Sequence, residues 1–341
     1  MNIKYIAGSL LTALVLTACS KTDYEEPVVT LPEDVTLHEE GPASPLSVSG
    51  STPLNNQHRI IYEMNLYNFT PEGTLAAAQQ HLERLKNIGV DIIWLMPIQK
   101  RTDLQEWKDY LHSELGSPYS LKDYKLLNPD HGTMDDLKSF INAAHGKGMK
   151  VWLDWVANHT AWDNVWLTTH PEYYTQDAEG KPVSPIDFKD VAELNMSKTE
   201  TQDAMIDAMK YWVTEADFDG FRCDYVSSPT IPVGFWNKAI AAIKAMKPGM
   251  EFMAETDFTD HSEFLDCGFD FDYAWGFNGN LQGVGSGMAG NALYSFAEPL
   301  ISDARFDHIG RMVYVTNHDL AHQKSLAAMY GDNRYLMSVI S

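Results

Sequence analysis

Four short polar clusters break otherwise apolar runs in this chain. They read Asp154-Trp155-Val156-Ala157-Asn158-His159, Gly220-Phe221-Arg222-Cys223-Asp224, Ala254-Glu255 and Thr316-Asn317-His318-Asp319. Taken singly they say little: Asn317-His318-Asp319 fits a turn with a capping Asp, and Glu255 fits a solvated strand end. Together they supply two carboxyl groups that could work as a pair. A carboxylate and a carboxylic acid about 5–5.5 Å apart can cleave a glycosidic bond with retention, one as nucleophile and one as acid/base. Asp224 and Glu255 are the natural partners. Arg222 lies two residues before Asp224, so in a strand both side chains share a face. Its guanidinium is expected to lower the pKa of Asp224 and keep it ionised. Glu255 must then keep a proton near neutral pH, which burial and the charge of Asp224 would promote. The histidines could suggest zinc, but no His-Glu-x-x-His or Cys pair supports it.

The elements that must position these groups follow a rhythm. Strands are expected over 60–66, 91–96, 150–156, 218–223, 251–254, 269–274 and 311–316. Helical patterns fall between them at 74–88, at 133–144 (with Thr133 as cap), at 199–215 and at 233–246. Strands that are apolar throughout and alternate with helices imply a parallel sheet covered on both faces. Seven such units favour a (β/α)8 barrel of the TIM type, in the α/β class, over an open doubly wound sheet. No Gly-x-Gly-x-x-Gly follows the first strand, so nothing favours a dinucleotide site. About forty residues, 158–197, separate the third strand from its helix; an insertion of that length usually has a function. In a barrel the four polar clusters would lie at the C-terminal strand ends, where such folds place their active sites.

Composition narrows the partners. The chain has 341 residues with 47 Asp and Glu against 25 Lys and Arg, a net charge of −22. A surface this acidic repels phosphate backbones, which argues against nucleic acid. Nine Trp and sixteen Tyr provide flat faces on which sugars or apolar ligands could stack. Residues 1–18 read as a secretory signal peptide, too short to span a bilayer. Residues 19–57 read as a flexible tether rich in Pro, Ser, Thr, Gly and Glu. The folded catalytic domain is expected over 58–341. Cys223 reads as a small buried residue inside a strand, while an exported chain could also pair it with Cys267.

The four clusters resemble, in order, the signature regions of the α-amylase family of glycoside hydrolases. Flanking segments agree: Ser117-Pro118-Tyr119-Ser120-Leu121-Lys122-Asp123-Tyr124 and Val191-Ala192-Glu193-Leu194-Asn195. The likeness spans about residues 59–320 and is nearest to bacterial surface lipoproteins of that family. The resemblance implies Asp224 as nucleophile, Glu255 as acid/base and Asp319 as a third carboxylate that binds sugar hydroxyls and favours ring distortion. It implies that His159 and His318 hydrogen-bond the sugar at the cleavage subsite, that Tyr119 stacks beneath it, and that Asp154 supports Arg222. It also implies a possible Ca²⁺ site at Asn158 and Glu193, whose amide and carboxylate oxygens suit a hard cation. No organic cofactor is implied. Ser227 and Ser228 depart from the Lys-His of many relatives, which opens the bond preference.

The activity implied is endo-type, retaining hydrolysis of α-1,4 bonds in starch or maltooligosaccharides. A 1,6-debranching enzyme or glucanotransferase would share every one of these residues. A surface lipoprotein that binds glycan without cleaving it is the reading from another class. Leu16-Thr17-Ala18-Cys19 is similar to a bacterial lipobox, implying a lipid at Cys19 as the only membrane attachment. That would make the protein a monomeric envelope lipoprotein, at the outer membrane or surface of a Gram-negative cell. Relatives continue past the seventh strand with a helix, an eighth strand and helix and an all-β domain. This chain stops at Tyr335–Ser341, within the expected seventh helix, so the barrel is expected to lack its eighth strand.

Overall fold

The computed structural model describes residues 59–186, 188–276, 278–279, 283, 304–321 and 325–330. All belong to the compact unit Pro53–Ser341. The expected signal peptide, the lipidated Cys19 with its tether, and the tail Tyr335–Ser341 lie outside the described residues. No described helix is long and apolar enough to cross a membrane.

Seven parallel strands form one sheet in sequence order: β1 (Ile60–Met64), β2 (Val90–Leu95), β3 (Lys150–Val156), β4 (Gly220–Asp224), β5 (Glu251–Ala254), β6 (Phe271–Tyr273) and β7 (Gly310–Met312). Among the described residues, three long helices cover it: α1 (Met134–His145), α2 (Thr199–Ala216) and α3 (Val233–Met246). The expected α/β architecture is therefore present. α1 starts at a reciprocal cap between Thr133 and Asp136 and buries Leu137, Phe140, Ile141 and Ala144 along one stripe. α2 ends where Asp217 turns left-handed at φ 61°. Both Cys223 and Cys267 are buried free thiols.

Alternation along the strands sorts side chains into two cores. Val90, Ile93 and Leu95 of β2, Val151, Leu153 and Trp155 of β3, and Phe221 and Cys223 of β4 pack outward beneath the helices. Ile92, Trp94, Trp152, Met253 and Tyr273 form a separate inner cluster. That inner cluster demonstrates that the sheet is rolled. β2 and β6 stand four strand steps apart, roughly 19 Å on a flat sheet. Yet the rings of Trp94 and Tyr273 are 6.1 Å apart, and those of Trp152 and Phe271 are 5.3 Å apart. Arg59, just before β1, likewise reaches Glu251 at the start of β5 at 2.7 Å. The interior is a packed core, as in TIM-type barrels.

Several elements depart from the pattern-based expectation. The helix expected over 74–88 is two pieces, Leu75–Gln79 and Leu82–Asn87. β1 stops at Met64 because Asn65 caps a short helix, Leu66–Phe69. β7 is shorter than expected, ending at Met312. After β2 the chain forms an antiparallel pair, Gln99–Arg101 with Leu121–Leu127. The insertion opens with a second pair, His159–Ala161 against Val191–Glu193. Gln99–Arg101, His159–Ala161 and Val191–Glu193 have three residues each, too few to register as periodicity.

Gly220 opens β4 on the inward face. An added Cβ there would meet the Trp152 indole and the Glu251 carbonyl, each at 2.5 Å. Gly220→Ala is expected to cost about 1–3 kcal/mol through overpacking. Chemical denaturation should show a lower midpoint with an unchanged slope; an unchanged midpoint would refute the tight approach of Trp152 to β4.

Candidate functional site

The inward stripe continues upward from the apolar core into polar groups. Arg222 of β4 is fully buried and sits between the faces of Trp94, Tyr273 and Tyr119, at 4.9, 5.3 and 5.9 Å from their ring centroids. Its Nη1 contacts Asp154 at 3.0 Å and Asp224 at 2.7 Å, and its Nη2 contacts Glu255 at 2.9 Å. Its Nε donates to the Tyr273 hydroxyl at 3.2 Å. One guanidinium thus holds three carboxyl groups from three adjacent strand ends, and such a fork suits that task better than an ammonium.

Burial and charge divide the three acids. Burial pushes Glu255 up to about 7, with Arg222 pulling it down and Asp224 pushing it further up. Asp224 is also raised, by burial first, against the lowering pull of Arg222 and with Asp154 adding to the rise. The net lowering expected of Asp224 is therefore not what the site produces: the guanidinium is shared among three acids, and the Asp is buried. Asp154, raised by burial, accepts from Trp94 Nε1 at 3.0 Å and from the Tyr119 hydroxyl at 2.9 Å.

A second chain of contacts closes the far side. The one hydrogen of Tyr119 goes to Asp154, so its oxygen accepts from His318 Nε2 at 2.9 Å. His318 Nδ1 faces the Glu63 carboxylate, which can only accept. Both ring nitrogens then carry hydrogen. In keeping with this, burial lowers the pKa of His318 but the contact with Glu63 outweighs it, leaving a net rise. The Tyr119 and His318 rings stack at 5.2 Å. Asp319, in the short helix His318–Ala321, accepts from Asn317 at 3.3 Å and has a half-exposed side chain.

The turn after β4 reaches back to the same groups. Tyr225 takes a left-handed backbone, φ 46°, which aims its N–H at Glu255 Oε2 at 2.7 Å. Burial drives His159 down to about 4, so its ring is neutral. Asn158 is buried, and its Oδ1 accepts from Ser228 at 2.6 Å and from Thr230 at 2.9 Å. The expected cation site at Asn158 and Glu193 does not fit this arrangement. The amide oxygen already has both lone pairs engaged. Among the described residues, no three His, Cys, Asp or Glu gather where they could hold a metal.

These groups border a cavity of about 570 Å³, lined by Tyr119, His159, Asp224, Glu255, His318 and Asp319 among others. Of the site residues expected from sequence, these six meet at the cavity, with Arg222 and Asp154 directly beneath. Sequence reasoning missed Glu63, Trp94 and Tyr273, which orient His318, Asp154 and Arg222. Their signal was present: each is an inward position of a strand, and Glu63 is a charge inside a strand. Arg311 was missed too. It ties β7 to Asp257 at 2.6 Å and to Asp272 at 3.0 Å.

The chain is similar to known proteins in sequence and fold. Residues 45–182 match the family model for the α-amylase catalytic domain. An α-amylase of Haloarcula japonica is 27% identical over 273 residues, covering 76% of this chain and 38% of that protein. An α-1,4-glucan:maltose-1-phosphate maltosyltransferase of Mycobacterium tuberculosis is 28% identical over 199 residues, covering 54% of this chain and 28% of that protein. The crystal structure of an α-amylase from Lactobacillus plantarum superposes with a TM-score of 0.68 at 30% identity, covering 76% of this chain and 63% of that one. The chain thus spans less than two fifths of the length of these two curated relatives. With a rolled sheet of parallel strands and carboxyl groups at the ends of strands four and five, the chain is similar to the α-amylase catalytic domain, in sequence over residues 45–182 and in fold to solved α-amylases.

Proposed function

We propose that the chain is a retaining α-glucan hydrolase that cleaves α-1,4-glucosidic bonds within starch or maltooligosaccharides. The observation that carries this reading is the single guanidinium of Arg222 holding both Asp224 and Glu255 at the cavity floor. Sharing one guanidinium keeps the two carboxyl groups close. That supports the shorter of the two spacings used in glycoside hydrolysis, the one without room for an intervening water.

In this mechanism Asp224 attacks the anomeric carbon while Glu255 gives its proton to the leaving oxygen. The C–O bond breaks and a β-glycosyl-Asp224 ester forms. Glu255, now ionised, takes a proton from water, which attacks the same carbon and frees Asp224. Arg222 favours the ionised form of Asp224 while Glu255 is poised near 7 to hold its proton. Asp319, His318 and His159 line the cavity where they can hydrogen-bond sugar hydroxyls, and Tyr119 offers its face.

A second reading has specific support. Ser227 lines the cavity where many relatives have a charged residue, and one relative is a maltosyltransferase. Products from maltoheptaose and pullulan separate the possibilities. Hydrolysis gives shorter maltooligosaccharides and new reducing ends from amylose. A profile dominated by longer oligomers would instead establish transfer, and cleavage of pullulan alone would establish debranching.

Asp224→Asn is expected to lower turnover by roughly 10⁴-fold or more while starch still binds. Near-normal activity in that variant would remove Asp224 from the nucleophile role. The pH profile should be bell-shaped. Glu255 acts protonated, so kcat/KM should fall as pH rises through about 7; the acid limb reports protonation of Asp224. Glu255→Gln should abolish the alkaline limb with an α-glycosyl fluoride, whose leaving group needs no proton. A limb near 7 that persists in this variant would assign it to another group.

A further inference from the structure

We propose that the rings of Phe188 and Tyr225 form the platform on which the leaving-group sugar rests, and that the same platform takes a second sugar as acceptor in place of water. This rests on the glucan-hydrolase reading and names the acceptor that the site favours in the second step of that reaction.

The proton donor marks the side. A general acid must reach the oxygen it protonates, so the departing sugar passes beside Glu255. The Tyr225 N–H holds the Glu255 carboxyl at 2.7 Å, which puts residue 225 on that side of the cavity. Phe188 joins it from the insertion. The two ring centroids are 6.3 Å apart and the ring planes meet at 83°, so the rings make a corner. Phe188 also lies 5.9 Å from the ring of His159. It thus stands between that histidine and the residue that holds the acid. The Tyr119–His318 stack is tied instead to Asp154 and Glu63, on the side of the cleaved sugar.

Phe188 is 43% exposed, although it borders the cavity and packs on two rings. An open aromatic face recovers its burial when the C–H face of a sugar lies on it. The main chain beside Phe188 is fixed: the Lys189 carbonyl accepts from Trp162 Nε1 at 2.9 Å, and Val191–Glu193 pairs with His159–Ala161. Among the described residues that line the cavity there is no Lys or Arg. Attraction for the departing sugar therefore comes from ring faces, with one short hydroxyl added by Ser227. In the second step the same geometry runs in reverse. A hydroxyl of a sugar on the platform attacks the anomeric carbon of the β-glycosyl-Asp224 ester. Its proton passes to the Glu255 carboxylate, and the bond to Asp224 breaks, leaving a carboxylate and a new α-glucoside. Water gains nothing from the rings, so a sugar acceptor is favoured over it.

The test uses the full chain and two donors that differ in what leaves, α-maltotriosyl fluoride and maltoheptaose. Fluoride departs without touching the rings, whereas maltoheptaose loses a glucan. In Phe188→Ala the ratio of kcat/KM on maltoheptaose to that on the fluoride should fall about tenfold. With the fluoride dilute and maltose added, the ratio of transfer product to free maltotriose should fall by a similar factor. Both readouts are ratios, so any loss of folded protein cancels. Tyr225→Asn keeps the left-handed backbone without the ring and should lower both ratios, while Tyr225→Phe keeps the ring and should match the wild type. Phe188→Trp restores a face and should rescue both. Unchanged ratios in Phe188→Ala, or equal losses on the two donors, would overturn the proposal. A wild type that releases neither fluoride from the first donor nor reducing ends from the second would instead defeat the glucan-hydrolase reading.

Discussion

The Arg222 guanidinium is the constraint on which the site depends. It carries one positive charge, fully buried, against three carboxyl groups that would otherwise repel one another. Desolvating a cation is expensive, and the structure offsets that cost with charge-assisted contacts and with the aromatic faces of Trp94, Tyr119 and Tyr273. Burial pushes all three acids up, Glu255 to about 7, and the guanidinium they share pulls against that rise in each of them.

Rolling the sheet is what makes that balance geometrically possible. The acids come from β3, β4 and β5, the covering aromatics from β2, β6 and the loop after β2, and Glu63 from β1. On an open sheet these groups would lie along a line far longer than a guanidinium can reach. The apolar cluster of Ile92, Trp94, Trp152, Met253 and Tyr273 fills the lower interior and forms the floor on which the polar layer rests. Arg311 repeats the device at lower charge. Shared between Asp257 and Asp272, it fastens β7 to the ends of β5 and β6, with Asp272 raised to about 7 by its burial.

Much of this was legible in the sequence, and the failures have common causes. The strands that are apolar on both faces and the helices with a clean stripe, such as 134–145, were visible because burial imposes a period. Arg222 and Asp224 were legible as a pair because two-residue spacing fixes a face. The antiparallel pairs around 99–127 and 159–193 were not, since at least one strand of each pair has only three residues, which carry no period. Glu63 was passed over because a charge within a strand has meaning only once the strand's inward face is known. The expected lowering of Asp224 failed for a different reason. It considered one partner, whereas the outcome depends on burial and on competing partners brought in by other strands.

The backbone at Tyr225 has a consequence for how this site could change over time. Its N–H, held at a left-handed φ of 46°, anchors Glu255 without any contribution from the side chain. Any residue that tolerates a left-handed backbone, Gly and Asn first, can make that bond; proline lacks the N–H and β-branched residues would be strained there. Within that limit the orientation of the acid does not depend on the side chain at position 225, even though the residue borders the cavity and its ring packs edge-on against Phe188. The ring is free to vary with the shape of the bound chain while the main chain keeps the chemistry constant. The site thus separates, within one residue, the part that selection on substrate can alter from the part it cannot.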